Sequence, residues 1–201
     1  MEKKTKIRAI VFDLGGVMVH GGYFDFVRHY CKECQTPLGT KKLARLERQV
    51  NLGEITETEF YRQISKAFAV KLKPKQMHEF IVRKMKTDKG LAHFIPHLKK
   101  PKIALFTNSI GHMAQEVLDK RHLNHHRLFD RVFDSSDLHI AKPDAGAYRY
   151  VLHKLKAKPH EALMVDDRPL NIRGAKRVGM YAILYKNSRQ FRKELNKYEF
   201  V

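Results

Sequence analysis

Short apolar runs that end abruptly in polar residues constrain this chain more than any other feature. IRAIVFD (7–13), KIALFT (102–107), ALMVD (162–166) and YAIL (181–184) each have the length and continuity of a strand buried on both faces of a parallel sheet. RVFD (131–134) is a weaker member of the set, and helical patterns at 112–121, 144–156 and 169–178 separate the runs. Strand alternating with helix in this way predicts an α/β fold with a doubly wound parallel sheet. The stretch after residue 17 breaks the rhythm, with helical patterns near 23–34, 38–50, 57–69 and 74–86 and no strand signal. Thr56 with Glu59 reads as a capping box, and Pro74 suits a first helical turn. The expected organisation is an α/β core from residues 1–16 and 100–201, with a small helical insertion, 17–99, after the first strand. Gly15, Gly16, Gly21 and Gly22 bracket the entrance to the insert, where flexible backbone is wanted.

At 201 residues the chain suits one domain carrying an insertion, and 43% hydrophobic residues supply a sizeable core. No apolar run approaches the ~20 residues of a membrane span. The basic start MEKKTKIR leads into a strand and not into a signal peptide, so the expected location is cytoplasmic. Net charge is +19, which draws anions, from phosphorylated metabolites to nucleic acid. The basic residues are scattered and lack the aromatic interleaving of a single-strand platform, so a basic solvated surface takes precedence over nucleic-acid binding. Cys31 and Cys34 form an isolated CxxC, which offers a redox pair or half a zinc site but on a helix reads as ordinary packing. His122, His125 and His126 lack acidic partners and read as an exposed loop and not a metal site.

The chemistry lies at the ends of the runs. Asp13 ends the first, Thr107-Asn108-Ser109 the second and Asp166-Asp167 the third, with Lys142 in AKPDAGAY. In open α/β sheets, ligands sit beyond the carboxyl ends of the strands, so these residues can meet. A phosphate monoester repels a carboxylate nucleophile unless its charge is neutralised. A hard divalent cation suits that task, with Asp13, Asp167 and the Gly15 carbonyl as oxygen ligands. Lys142 would add fixed positive charge, and Thr107 a hydrogen bond to a phosphoryl oxygen.

VFDLGGVMV, LFTNS, AKPDAGAY and MVDDRPLNIRGAKRVGM together resemble the four ordered motifs of the haloacid dehalogenase-like hydrolases. The resemblance spans nearly the whole chain and implies a Rossmann-like core with a cap that selects substrate. It implies a phosphatase of a small phosphorylated metabolite, a sugar phosphate among the options, working through an aspartyl-phosphate at Asp13. It further implies Thr107, Asn108 and Lys142 on the phosphate and Mg²⁺ near Asp13, Gly15, Asp166 and Asp167. FDLGGV is similar to the branch of sugar-phosphate phosphatases and epoxide hydrolase N-terminal domains. The acidic pair Asp166-Asp167 counts against halide displacement, the family's metal-free chemistry.

Gly15 departs from the pattern, because most phosphatases of the family carry there an aspartate that protonates the leaving group. Three readings follow. The enzyme uses substrates with good leaving groups; it recruits another group, His20 being nearest in sequence; or it is a catalytically weak protein that binds phospho-ligands or nucleic acid.

Overall fold

The computed structural model describes residues 5–123 and 128–201, so His125 and His126 lie outside the described residues. The first apolar run divides in two. β1 (Thr5–Ile7) pairs in parallel with the last strand of the chain, and β2 (Ala9–Phe12) enters the central sheet after Arg8. The chain then forms β3 (Val19–His20), α1 (Tyr23–Tyr30), α2 (Pro37–Asn51), α3 (Glu57–Phe68), α4 (Pro74–Lys84), β4 (Lys86–Thr87) and α5 (Lys89–Phe94). β5 (Lys102–Thr107), β6 (Arg131–Asp134), β7 (Ala162–Asp166) and β8 (Tyr181–Leu184) complete the central sheet. Its order is β6-β5-β2-β7-β8, every neighbour parallel. β9 (Tyr198–Phe200) closes the chain beside β1.

Covering both faces explains why the strands read as unbroken apolar runs: every residue of β2 and β7 is buried. Alternate residues of β2 face two cores. Ile10 and Phe12 join one shared with the helical segment, while Ala9 and Val11 pack with Tyr148, Val151 and Leu155 of the helix Ala145–Leu155. Phe12 is fully buried against the edge of Phe191, and truncating it to alanine would cost about 3–5 kcal/mol.

The interval expected to lack strands contains two short ones. β3 and β4 pair antiparallel, Val19 with Thr87 and His20 with Lys86, where the chain leaves for α1–α4 and returns. Sequence punctuation sets the helices between them. Thr36 accepts from the Gly39 N–H at the start of α2, and Thr56 from the Glu59 N–H at the start of α3. The Glu59 side chain turns to Gln63, so the Thr56 cap forms as one half of a capping box. α4 begins at Pro74, as the sequence predicts. The predicted helix at 23–34 ends at Tyr30, and a 3₁₀ turn (Lys32–Gln35) follows. Cys31 and Cys34 are both buried there with their sulfurs paired, in place of the helical packing the sequence suggests.

His78 on α4 ties this segment to the core, bonded to Glu57 of α3 and lying 2.7 Å from Glu116 of the helix Met113–Lys120. Burial works against the charge of His78, but the two carboxylates outweigh it and hold its pKa above the ordinary 6.5. A raised histidine pKa contributes stability that is complete below 6.5 and fades as pH rises through the folded value. His78→Gln should therefore lower Tm more near pH ~6 than near pH ~9. Equal losses at both pH values would contradict the bridge.

Candidate active site

Sheet register assembles the site. Phe12 is level with Leu105 on one side and Val165 on the other, so Asp13 and Asp166 stand side by side one residue further on. Thr107 ends the neighbouring strand β5. The Asp13 N–H donates to the Val165 carbonyl at 2.9 Å, and Asp13 Oδ1 accepts from the Leu14 N–H at 2.7 Å. Because the strands run in parallel, all of these groups emerge at one edge.

Lys142 arrives from a separate loop that Asn108 positions. The Asn108 side chain accepts from the Lys142 N–H at 3.0 Å and donates to the Lys142 carbonyl at 2.9 Å. Lys142 Nζ, fully buried, lies 3.0 Å from Asp13 Oδ1 and 2.7 Å from Asp166 Oδ2. Burial disfavours this charge, yet Asp13 and Asp166 more than offset it and hold the lysine pKa above its usual value. Asp166 is fully committed. Oδ1 accepts from the Arg168 N–H at 2.9 Å, Oδ2 from Lys142, and Asn171 Nδ2 reaches both oxygens at 3.0 Å. It braces Lys142 from the side away from the cavity.

Asp13, Asp166 and Asp167 offer oxygens within 4.8 Å of one another, an all-oxygen set of the kind a hard cation takes. Burial, aided by the charges of Asp166 and Asp167, pushes the Asp13 carboxyl up to about 7 against the pull of Lys142. Burial and Asp166 likewise raise Asp167. Both shifts reflect carboxylates held away from water, whose charged form a divalent ion would stabilise. The residues therefore fit magnesium, with Asp13 and Asp167 better placed than the fully bonded Asp166. The turn after β2 is shaped for this proximity. Gly16 has φ +76°, and a Cβ there would stand 2.0 Å from Asp167 Oδ2. Gly15 needs no such freedom, and a Cβ there would meet no atom within 4 Å.

Above the carboxylates lies a cavity of about 140 Å³. Asp13, Gly15, Thr107, Asn108 and Asp167 form its polar floor. Leu14, Phe24, Met85, Ile110, Met113 and Val117 are prominent in its apolar walls. Thr107 is buried at this floor, its hydroxyl making only a long 3.5 Å contact to the Asn108 carbonyl. His20 is elsewhere. It opens on a separate cleft with Asp25, Arg28 and Lys84, sits 3.1 Å from Asp88, and stacks on Tyr185. Proximity in sequence to Gly15 is undone by the β3 turn, so His20 does not replace the missing acid.

Sequence reasoning missed three residues of the site. Asn171 holds Asp166 from a helix that begins at Pro169; Glu47 reaches the cavity from α2; Arg168 joins it there. Glu47 left a trace, since it shares a helical face with the buried Leu43, Leu46 and Val50.

The haloacid dehalogenase-like hydrolase family matches residues 7–179. Drimenol cyclase drtB of Aspergillus calidoustus is 23% identical over 94% of this chain, which spans about a third (36%) of the cyclase's length. Sesquiterpene phosphatase astK of Aspergillus oryzae is 23% identical, over 89% of this chain and 90% of its own. Among solved structures, the enzyme bt-2542 of Bacteroides thetaiotaomicron, in complex with magnesium and inorganic phosphate, shares the fold with TM-score 0.72 and 20% identity. That likeness covers 90% of this chain and 95% of the other.

Magnesium should raise the Tm of the wild-type protein, and Asp167→Asn should remove most of that shift. Asn171→Ala leaves the Asp166 oxygens short of a donor in a dry site and should cost about 1–3 kcal/mol of stability while the magnesium shift persists. A full magnesium shift in Asp167→Asn would rule that residue out as a ligand.

Proposed function

Because the chain belongs to the haloacid dehalogenase-like hydrolases, we propose that it is a magnesium-dependent phosphatase of a small phosphorylated metabolite. The observation that carries this reading is the arrangement at the sheet edge, where Asp13 and Asp166 share one buried lysine, Asp167 completes an oxygen cluster with them, and Asp13 faces the cavity. Asp13 is the nucleophile. Its carboxylate attacks phosphorus, the bond to the leaving oxygen breaks, and water then releases phosphate from the acyl phosphate. Magnesium, when bound, neutralises phosphate charge and lets an anion approach an anion. Lys142 keeps Asp13 oriented and supplies a fixed positive charge beside the phosphoryl group. The Thr107 hydroxyl, at the floor of the cavity and weakly engaged, is placed to donate to a phosphoryl oxygen. The cap is the helical segment 17–99, which closes the site from above.

The walls bear on the substrate. A sugar phosphate needs hydrogen-bond partners for each hydroxyl, because leaving polar groups unpaired on burial costs about 1–3 kcal/mol apiece. Phe24, Met85, Ile110, Met113 and Val117 offer none. A hydrocarbon or otherwise apolar leaving group suits this surface better, and the similarity to a sesquiterpene phosphatase supports the same choice.

Asp13→Asn is nearly isosteric and should abolish turnover of any phosphate ester, while the fold persists at a lowered Tm because Lys142 keeps Asp166 as its partner. Alkyl or prenyl monophosphates should show lower KM than sugar phosphates of similar size. Retention of more than about a hundredth of the activity in Asp13→Asn, far above what loss of a nucleophile permits, would remove it from that role.

A further inference from the structure

We propose that Glu47, carried by α2, performs the proton transfers for which Gly15 has no side chain; the inference rests on the phosphatase reading above. The opening above Gly15 continues into the cavity that Glu47 lines together with Asp13, Asp167 and Arg168. The titratable groups lining that cavity are few. Asp13 is the nucleophile, Asp167 faces the metal position, and Arg168 carries a guanidinium and no acid group. Tyr23 holds its proton too tightly, since burial and the charge of Glu47 push its pKa well above 10.0. Glu47 is the remaining acid.

Two further observations favour it. Arg168 lines the same cavity, and its charge acts on both Glu47 and Asp167. The Tyr23 hydroxyl, also at the cavity, acts on the Glu47 carboxyl as a hydrogen-bond donor and holds it there. A neutral hydroxyl donating to one carboxyl oxygen leaves the other able to carry a proton. Burial raises the Glu47 pKa against the opposing pulls of Tyr23 and Arg168, and so enlarges the protonated fraction that a general acid requires.

The chemistry balances. As the Asp13 oxygen bonds to phosphorus and the ester P–O bond breaks, Glu47 gives its proton to the departing oxygen, and an alcohol leaves. The resulting Glu47 carboxylate then takes a proton from the water that attacks the aspartyl-phosphate. The Asp13–phosphorus bond breaks, phosphate departs, and protonated Glu47 is restored.

The test measures single-turnover release of the leaving group from an alkyl phosphate and from p-nitrophenyl phosphate, with magnesium, in wild type, Glu47→Gln, Gly15→Asp and the double variant. Glu47→Gln should slow release of the alcohol by about 10²–10⁴, the range of general acid catalysis, and release of nitrophenol far less. The double variant should recover most of the alcohol rate, because a Cβ at Gly15 has room. Gly15→Asp alone should gain less than about tenfold on the alkyl substrate, since the acid is already present. Equal slowing on both substrates, a change confined to KM, or a large gain in Gly15→Asp alone would overturn the role of Glu47 while wild-type turnover preserves the phosphatase reading. Absence of turnover on either substrate in wild type would overturn both.

Discussion

A single buried ammonium governs this molecule. Lys142 Nζ is held between Asp13 and Asp166 at the edge of a sheet whose neighbouring residues are almost entirely apolar. Taking such a charge out of water costs several kcal/mol, and close carboxylates with further hydrogen bonds are what make it tolerable. The site meets each condition through backbone geometry. Strand register puts Asp13 level with Asp166, Asn108 grips the lysine backbone, and Asn171 with the Arg168 N–H satisfies the oxygens that Lys142 leaves free. Removing either carboxylate would leave the charge under-compensated, so the reacting geometry and the stability of the sheet edge are one property.

The opposite imbalance faces the cavity. Asp13, Asp166 and Asp167 cluster beside one lysine, and burial first, then the neighbouring carboxylates, raises the pKa of Asp13 and Asp167. The proposed magnesium ion would stabilise these carboxylates and, through its charge, favour a phosphate. The helical segment packs against the sheet edge through several contacts. Arg48 on α2 reaches Asp144 at 2.6 Å, His139 bonds the Leu52 carbonyl at 2.8 Å, and Arg121 donates to the Arg83 carbonyl at 3.1 Å. These contacts hold the segment over the sheet edge, beside the buried charges of the site.

Much of this was legible before any coordinates. The central strands announced themselves because burial on both faces demands uninterrupted apolar residues, and their polar ends fell at the expected edge. Two-residue and three-residue strands left no such trace. β3 with β4, and β1 with β9, are too short for a period to show and exist through pairing between distant segments. Asp13, Lys142 and the acidic pair stood out through residue type and order. Asn171 did not, because an asparagine in the first turns of a helix resembles an ordinary polar residue until the fold turns it onto Asp166. His20 failed for the complementary reason: five residues from Gly15 in sequence, it is carried by the turn into β3 toward Asp88 and another cleft. Glu47 was the informative omission, a charged residue on the apolar face of α2.

The central claim, that Asp13 carries the phosphoryl group, is tested most directly by quenching the wild-type protein in acid during its first turnover with magnesium and a phosphate ester. Acyl phosphates survive acid long enough for the peptide containing Asp13 to be sequenced by tandem mass spectrometry. The account predicts one phosphoryl group on Asp13, appearing with the leaving group and decaying as free phosphate rises. A phosphoryl group on another residue, or leaving-group release with no phosphorylated Asp13 throughout the burst, would contradict it.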